Sequence, residues 1–239
     1  MIDVNIDTLC IEVTRRCNMA CAHCLRGEAA DMNIDLTDVW RVIKYTKYIG
    51  TICFTGGEPS LNVPGIKRVL RLCQINNVEV GNFYIATNGK YISNEFINAI
   101  IDWYMYCTDN EISAVSLSQD TYHEPIPAES LKRLKTLSFF DTKDKATDFT
   151  RIPLINSGRA KEITNAPKRT LGTPDAQHYM EDCVDVENNS IRFNDTITIT
   201  CEGDILCACD YEYDNVNPYR LGRTFEFRDI IRRCIQLAS

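Results

Sequence analysis

The sequence lacks a long apolar run, a surplus of basic residues and a leader-like amino terminus. No stretch of its 239 residues approaches the roughly 20 apolar residues that cross a membrane, which predicts no membrane partner. The formal net charge of -7 argues against a general nucleic-acid binder, because neutralising phosphates requires an excess of Lys and Arg. The start, MIDVNIDTLCIEV, has no basic segment followed by an apolar one, so we expect no secretory signal and a cytoplasmic location.

Histidine is scarce and cysteine is abundant, with 3 His against 12 Cys. In a reducing compartment cysteines are metal ligands or small buried hydrophobic residues far more often than disulfides. The length suits one domain with room for a small appendage. Core packing is predicted for the cysteines that fall among apolar neighbours on strands or helices, namely Cys10, Cys53, Cys73 and Cys107.

Short apolar runs alternate with longer segments of helical period, which predicts strand–helix units and a parallel sheet. Ligands of such sheets bind at the carboxyl ends of the strands. We therefore predict an α/β fold: a partial (β/α)6 TIM-like barrel over residues 1–180 and a small C-terminal β-hairpin plus helix appendage over 181–239. Barrel strands are predicted at 9–13, 51–54, 83–87, 112–117 and 150–155, and the appendage has its hairpin turn at 202–204 and its helix at 227–237.

The most specific feature is the segment TRRCNMACAHCLRG, which follows the first predicted strand. It places Cys17, Cys21 and Cys24 at C-x3-C-x2-C spacing. Three thiolates on one loop can hold three irons of a cubane and leave the fourth iron open to a small molecule. The alternative is a zinc site completed by His23, but zinc loops usually pair two short spacings and no second pair lies nearby.

With this motif the chain resembles the radical S-adenosylmethionine (radical SAM) superfamily, in which an aromatic or similar ring precedes the last cysteine. His23 occupies that position. The resemblance implies a [4Fe-4S] cluster on Cys17, Cys21 and Cys24, a bound S-adenosylmethionine (SAM) that His23 contacts, and an electron donor such as flavodoxin or ferredoxin.

Loops after the next three strands match further SAM-binding segments of that family. Asn88 ends the third strand in Thr-Asn-Gly, near the nucleoside in similar enzymes, and Ser116 and Ser118 end the fourth, near the ribose or the methionine carboxylate. His123, in the loop that follows, has the chemistry to serve the substrate, but a lone loop histidine is more often exposed, so we predict a surface residue. The family's GGEP loop, which binds the amino group of SAM, is matched by Thr55, Gly56, Gly57, Glu58 and Pro59. Glycines permit a close approach of the backbone to a ligand, and a carboxylate can pair with an ammonium.

The carboxyl-terminal segment EGDILCACD resembles the start of the SPASM/twitch-like auxiliary-cluster region of peptide-modifying members, and SGRA at 157–160 resembles another part of them. The C-x2-C groups of full auxiliary domains are absent. The hypothesis is one second iron–sulfur cluster, with Cys201 a spare, and the alternative is a set of buried thiols. Its ligands would be some of Cys183, Cys207, Cys209 and Cys234.

The resemblance implies an enzyme that cleaves SAM reductively at the cluster to a 5'-deoxyadenosyl radical, with no side chain acting as an acid or base in that step. The auxiliary pattern favours a peptide or protein side chain as substrate. A radical reaction on a small molecule or nucleotide, a glycyl-radical activase and a non-catalytic iron–sulfur module are the alternatives. The SAM-type strand ends favour an enzyme over the module, because a metal module has no need of a SAM cradle.

Overall fold

The structure is a computed structural model that describes residues 2–141, 153–170, 172, 175–187 and 190–238. Helices α1 to α6 span Leu36–Ile43, Val63–Ile75, Asn94–Tyr106, Ala128–Leu134, Ala176–Asp182 and Phe227–Leu237. Strands β1 to β11 span Asp3–Thr14, Thr46–Gly56, Glu79–Thr87, Ala114–Leu117, Phe140–Asp141, Leu154–Ile155, Lys168–Arg169, Val184–Glu187, Ser190–Ile199, Asp204–Leu206 and Arg220–Arg223.

The main sheet of the described residues has nine strands, in the order β11-β10-β9-β1-β2-β3-β4-β5, with β8 paired to β9. Strands β1 to β5 are parallel, and β9 lies parallel to β1 on its other side. The antiparallel strands are β8, β10 and β11, all in the carboxyl-terminal part. The predicted α/β class with strand–helix units is therefore confirmed.

The parallel strand that follows the fourth is not at the predicted position, 150–155. Leu154–Ile155 pairs only with Lys168–Arg169 in a separate two-stranded sheet, and residues 150–152 of that prediction lie outside the described residues. Its place beside β4 is taken by β5, and a sixth parallel strand, β9, joins the opposite edge beside β1. A run of ten residues with buried Ile197 and Ile199 offers far more backbone pairing than a two-residue strand.

The first helices begin where the sequence predicts. Asp35 accepts a hydrogen bond from the amide of Thr37 at the start of α1, and Ser93 accepts one from the amide of Phe96 at the start of α3. These helices pack their apolar faces on the sheet, where Trp103 is completely buried and its ring centroid lies 5.2 Å from that of Phe54. The hydrophobic core therefore lies between these helices and the outer face of the sheet.

Alternation along the strands sends a second set of side chains to the opposite, inner face of the sheet. In β1, Leu9, Ile11 and Val13 belong to the core against the helices. The residues between them, Cys10 and Glu12, therefore face inward, and both are almost fully buried. Polar residues at buried strand positions mark the inner face as the functional side of the sheet.

The predicted hairpin and terminal helix are present as β9, β10 and α6, and the strands join the same sheet as β1. Glu202 and Gly203 form the hairpin turn, where Gly203 has a φ of 78°. Within the described ranges no helix combines the length and apolar character needed to cross a membrane.

Candidate active site

A cavity of about 360 Å³ lies at the carboxyl ends of β1 to β4, and this volume suits a small-molecule site. Parallel pairing brings the loops after these strands to one edge of the sheet. The predicted site residues that line the cavity are Cys17, Cys21, His23, Cys24, Thr55, Gly56, Gly57, Glu58, Pro59, Asn88, Ser118 and Cys209.

The cysteine motif forms the loop between β1 and α1, and its three thiols are half-buried. The amide of Cys24 donates to the carbonyl oxygen of Cys21 over 3.2 Å, which closes a turn between the two ligands. Burial raises the pKa of Cys17, and it raises the pKa of Cys21 to about 11 together with repulsion from Cys17 and Cys24. Cys17 and Cys21 therefore hold their protons until a metal displaces them.

The Gly-Gly-Glu-Pro loop is docked directly on the backbone that leads into the cysteine motif. The amide of Gly57 donates to the carbonyl oxygen of Thr14, and that of Glu58 to the carbonyl oxygen of Arg16, both over 2.8 Å. A Cβ at Gly57 would lie 2.3 Å from the Arg16 oxygen. Gly56 has a φ of 130°, and a Cβ there would lie 2.0 Å from the Thr14 oxygen. Both glycines are needed because no side chain fits between these two loops.

Glu58 joins the loops after β2 and β3. Its carboxylate is 1% exposed and accepts hydrogen bonds from the Thr87 hydroxyl and the Asn88 amide, both over 2.7 Å, and from the Ser60 amide over 3.0 Å. Burial raises the pKa of Glu58, against the lowering effect of these hydrogen bonds. Both oxygens thus already bind the protein, and contact between this carboxylate and the SAM ammonium stays a prediction.

Asn88 links the third strand to the cysteine motif. Its side-chain amide donates to the side-chain oxygen of Asn18 over 2.8 Å and lies 3.8 Å from the Cys17 sulfur. Ser118 lines the cavity, and its amide is held by the carbonyl oxygen of Thr87. Ser116 is 3% exposed and is not among the residues lining the cavity, so the structure does not bring it to the site.

His23 and His123 flank one carboxylate. Asp120 lies 3.2 Å from Nε2 of His23 and 2.8 Å from Nδ1 of His123. Burial acts to raise the pKa of Asp120, but hydrogen bonds with both histidines outweigh it and lower that pKa. The His123 side chain is 11% exposed and lines the cavity, so its prediction as a surface residue is wrong. The His23 ring is also held by Tyr122, with 5.0 Å between ring centroids.

Two arginines that sequence reasoning did not single out stabilise the cysteine motif. Arg26 is buried, donates to the Tyr211 carbonyl oxygen and to the Thr55 hydroxyl, and lies 3.9 Å over the Tyr211 ring. Arg159 donates its amide to the Cys24 carbonyl oxygen over 2.9 Å and lines the cavity. In the sequence, Arg26 lies in the LRG after the last cysteine and Arg159 lies in the SGRA segment. Their roles were not readable there, because their partners are distant in sequence.

The cysteines outside the motif separate into three groups. Cys73 and Cys107 lie in the hydrophobic core as predicted. Cys10 is 1% exposed and buried as predicted, whereas the half-buried Cys53 lines the cavity, so core packing is wrong for Cys53. They occupy alternate strand positions that face the inner side, which apolar neighbours along the strand do not reveal.

The predicted auxiliary ligands are not gathered at one place. Burial raises the pKa of Tyr179, and the nearby Asp195, Cys183, Cys207 and Cys234 raise it further. Cys209 lies instead near Cys10 and Cys53. Residues two apart in extended backbone point to opposite sides, which sends Cys207 and Cys209 to different surroundings. Cys209 thus lies apart from the other three, and an auxiliary cluster on some of Cys183, Cys207, Cys209 and Cys234 stays a prediction.

The donor set of the motif fits an iron–sulfur cluster. Cys17, Cys21 and Cys24 line one cavity wall with half-buried thiols, and soft sulfur ligands suit iron–sulfur clusters. The nearby amide of Asn88 is placed to hydrogen-bond a ligand sulfur, an interaction that tunes such clusters.

The fold and site define an α/β protein with a three-cysteine motif and a cofactor-sized cavity at the strand ends. A family model described as the Radical SAM superfamily matches residues 11–144, and the chain belongs to that superfamily. This confirms the predicted family. Its members are enzymes that use a [4Fe-4S] cluster and SAM, which confirms the predicted cofactors at the level of the family.

Among curated proteins the chain is similar to GTP 3',8-cyclases. It is 35% identical over 94 residues to that of Clostridium acetobutylicum, covering 36% of this chain and 28% of the relative. It is 26% identical over 173 residues to that of Chlorobaculum tepidum, covering 71% of this chain and 42% of the relative. The chain thus spans well under half the length of these relatives.

Among solved structures the chain resembles native anSMEcpe with bound AdoMet and Kp18Cys peptide. The TM-score is 0.60 at 11% identity, covering 95% of this chain and 80% of the other. A likeness at this identity supports the partial-barrel fold and nothing more specific.

Proposed function

We propose that this protein cleaves SAM reductively and uses the resulting 5'-deoxyadenosyl radical to modify a peptide or protein side chain. The observation that carries the proposal is the cavity itself. One volume of about 360 Å³ is lined by Cys17, Cys21 and Cys24 and by the Gly-Gly-Glu-Pro loop, Asn88 and Ser118 from three successive strand ends. A non-catalytic metal module has no need of the Gly-Gly-Glu-Pro loop, Asn88 and Ser118 around its cluster.

The cysteine motif is the part that would hold the cluster. When bound, the cluster supplies the electron for SAM cleavage. The chain's own contribution is to fix the ligand loop: the amides of Gly57 and Glu58 clamp its start, and the amide of Arg159 clamps the Cys24 carbonyl. Such positioning holds reacting groups in register and is a large part of what a protein adds to cofactor chemistry.

Polar groups around the cavity would orient SAM. Glu58 fixes the loop after β2 against Asn88, so the backbone of the Gly-Gly-Glu-Pro loop keeps one conformation. His23 presents a ring held by Asp120 and Tyr122, which suits stacking on a base. Buried Met19 and Arg26 close the inner wall against water.

The fold neighbour is a structure with a bound peptide, so peptides are the first substrate class to test. The EGDILCACD and SGRA segments that resemble peptide-modifying enzymes point the same way. A second candidate is a reaction on a nucleotide, favoured by the similarity to GTP 3',8-cyclases. Flavodoxin or ferredoxin remains the predicted electron donor in either case.

The experiment is anaerobic reconstitution with iron and sulfide, reduction with dithionite, addition of SAM and quantification of 5'-deoxyadenosine. We expect product from the native chain and none from Cys17→Ala, with Cys73→Ala as the matched control because Cys73 lies in the hydrophobic core. Equal product from native protein and Cys17→Ala would refute the proposal.

Substrate class is tested in the same assay. Peptides and GTP are added separately, and we expect peptides to raise 5'-deoxyadenosine formation and to undergo a change in mass. Consumption of GTP with no response to peptides would instead favour the nucleotide reaction.

A further inference from the structure

Two histidines and an aspartate from separate parts of the chain meet beside the cavity. His23 lies in the cysteine motif, whereas Asp120 and His123 lie in the loop after β4. Nε2 of His23 is 3.2 Å from Oδ2 of Asp120, and Nδ1 of His123 is 2.8 Å from Oδ1 of the same carboxylate. One ligand atom from each residue lies within 4.8 Å of the other two. We call His23, Asp120 and His123 the histidine site.

The side chains of the histidine site are held in place by their neighbours. The Asp120 carboxylate accepts a hydrogen bond from the Tyr122 amide over 2.8 Å, and the His123 amide donates to the Asp120 carbonyl oxygen over 3.3 Å. The His23 ring packs on the rings of Tyr122 and His123, with 5.0 and 4.8 Å between centroids. The ligand atoms are thus close together before any ion binds, which lowers the cost of ordering them.

The charge at the histidine site favours a cation. Among the described residues only His23 and His123 form ion pairs with Asp120, and no Lys or Arg does. Burial acts to raise the pKa of Asp120, but hydrogen bonds with both histidines outweigh it, so the carboxylate is charged. Nδ1 of His23 is buried with no hydrogen-bond partner in the described part of the chain, so no contact reserves Nε2 for a proton.

The histidine site is separate from the cysteine motif. Within the described ranges, no set of His, Cys, Asp and Glu ligand atoms packed this closely includes Cys17, Cys21 or Cys24. A cubane holds its thiolates on separate irons, whereas a single ion needs its ligand atoms packed together. His23 therefore does not complete a zinc site on the cysteine motif, because its Nε2 lies against Asp120 instead.

We propose that His23, Asp120 and His123 bind one divalent transition-metal ion of the zinc class. Imidazole nitrogens and a carboxylate oxygen are ligands that such ions take in proteins. Zinc bonds of about 2.0–2.2 Å in tetrahedral geometry place ligand atoms roughly 3.4 Å apart. The nitrogen–oxygen separations of 3.2 and 2.8 Å are close to that value, so the side chains need only small shifts to admit the ion.

The ion would be open to a further ligand. Three protein ligands leave a fourth coordination position, as in zinc sites that bind a water or a substrate. His23 and His123 line the cavity of the proposed SAM site, and His23 and Asp120 line a second cavity of about 200 Å³. An oxygen or sulfur donor of a substrate can therefore reach the ion from these cavities. This substrate role rests on the proposed function, whereas the binding of the ion does not.

X-ray absorption at the zinc edge of the native chain tests the ligand set. Protein that carries its iron–sulfur cluster is kept anaerobic and reduced, loaded with Zn²⁺ and desalted. We expect one Zn²⁺ per chain, nitrogen and oxygen ligands at about 2.0–2.2 Å with the scattering of two imidazoles, and no sulfur at about 2.3 Å. A sulfur shell, or no retained Zn²⁺, would overturn the proposal.

Calorimetric titration of Zn²⁺ into the same cluster-loaded protein tests the residues. Asp120→Asn and His123→Ala should each weaken binding at least about tenfold. The matched control is His178→Ala, which removes a largely exposed His–Asp pair with 3.0 Å between His178 and Asp182 and should leave the affinity unchanged. Equal affinity in native protein and His123→Ala would overturn the proposal.

The two measurements complement each other. X-ray absorption uses the native chain, so it decides the ligand set even where a variant fails to fold. Neither readout depends on SAM cleavage, so the proposed function stands or falls separately.

Discussion

Replacing Glu58 by Gln tests whether this carboxylate is the bridge between the loops after β2 and β3. Three donors converge on it: the Ser60 amide and the Thr87 hydroxyl on one oxygen and the Asn88 amide on the other. An amide side chain keeps only one oxygen, so its NH2 group must face the Asn88 N–H or the other two donors. At least one hydrogen bond to a buried charged acceptor is lost.

The loss of a hydrogen bond to a charged group costs about 1.5–3 kcal/mol in the free energy of unfolding, so we expect about 2–3 kcal/mol for Glu58→Gln. Glu58→Ala leaves two buried N–H donors without a partner and should cost roughly 2–6 kcal/mol. Both values are a large share of the total of about 5–15 kcal/mol that holds a typical domain folded.

Urea unfolding followed by circular dichroism measures these differences, and an isothermal titration with SAM measures the affinity of cluster-loaded protein. The matched control is Glu79→Gln, at an exposed position at the start of β3, where we expect a change within about 0.5 kcal/mol. A Glu58→Gln protein that loses SAM affinity at unchanged stability would refute the reasoning. That outcome would mean the carboxylate meets SAM directly and holds no loops together.

Two further predictions concern the cysteine motif and the remaining cysteines. Gly57→Ala should lower cluster occupancy, measured as iron and sulfide per chain, because its Cβ would lie 2.3 Å from the Arg16 carbonyl oxygen. The control is Gly172→Ala, where no atom lies within 4 Å of the added Cβ. Equal occupancy in both variants would count against the docking of the two loops. Because Cys209 is separated from Cys183, Cys207 and Cys234, we expect about four irons per chain in reconstituted native protein. A count near eight would instead support the auxiliary cluster.

The family and the cofactor loops were readable in the sequence because they depend on local spacing. Cys17, Cys21 and Cys24 lie within eight residues, and the Gly-Gly-Glu-Pro loop is continuous. Periodicity likewise placed α1, α3 and the terminal helix, since amphipathic helices and their caps are local features. Parallel strand–helix units then require that successive loops meet at one edge.

What the sequence could not decide were pairings between distant segments. The strand after the fourth was predicted at 150–155, but β5 at 140–141 pairs with β4, β9 pairs with β1, and 154–155 pairs with 168–169. His123 looked like a surface loop residue because the sequence does not show that the Asp120 carboxylate beside it also contacts His23 from a distant segment.

The cysteines show the division most plainly. Their number and the predicted reducing compartment indicated metal ligands or core residues, and the sequence alone determined which three form the C-x3-C-x2-C motif. Tertiary structure decided the rest: strand alternation turned Cys10 and Cys53 inward, and the hairpin after β9 carried Cys209 to meet them. A contact across 199 positions between Cys10 and Cys209 leaves no local pattern, because only the folded sheet makes those residues neighbours.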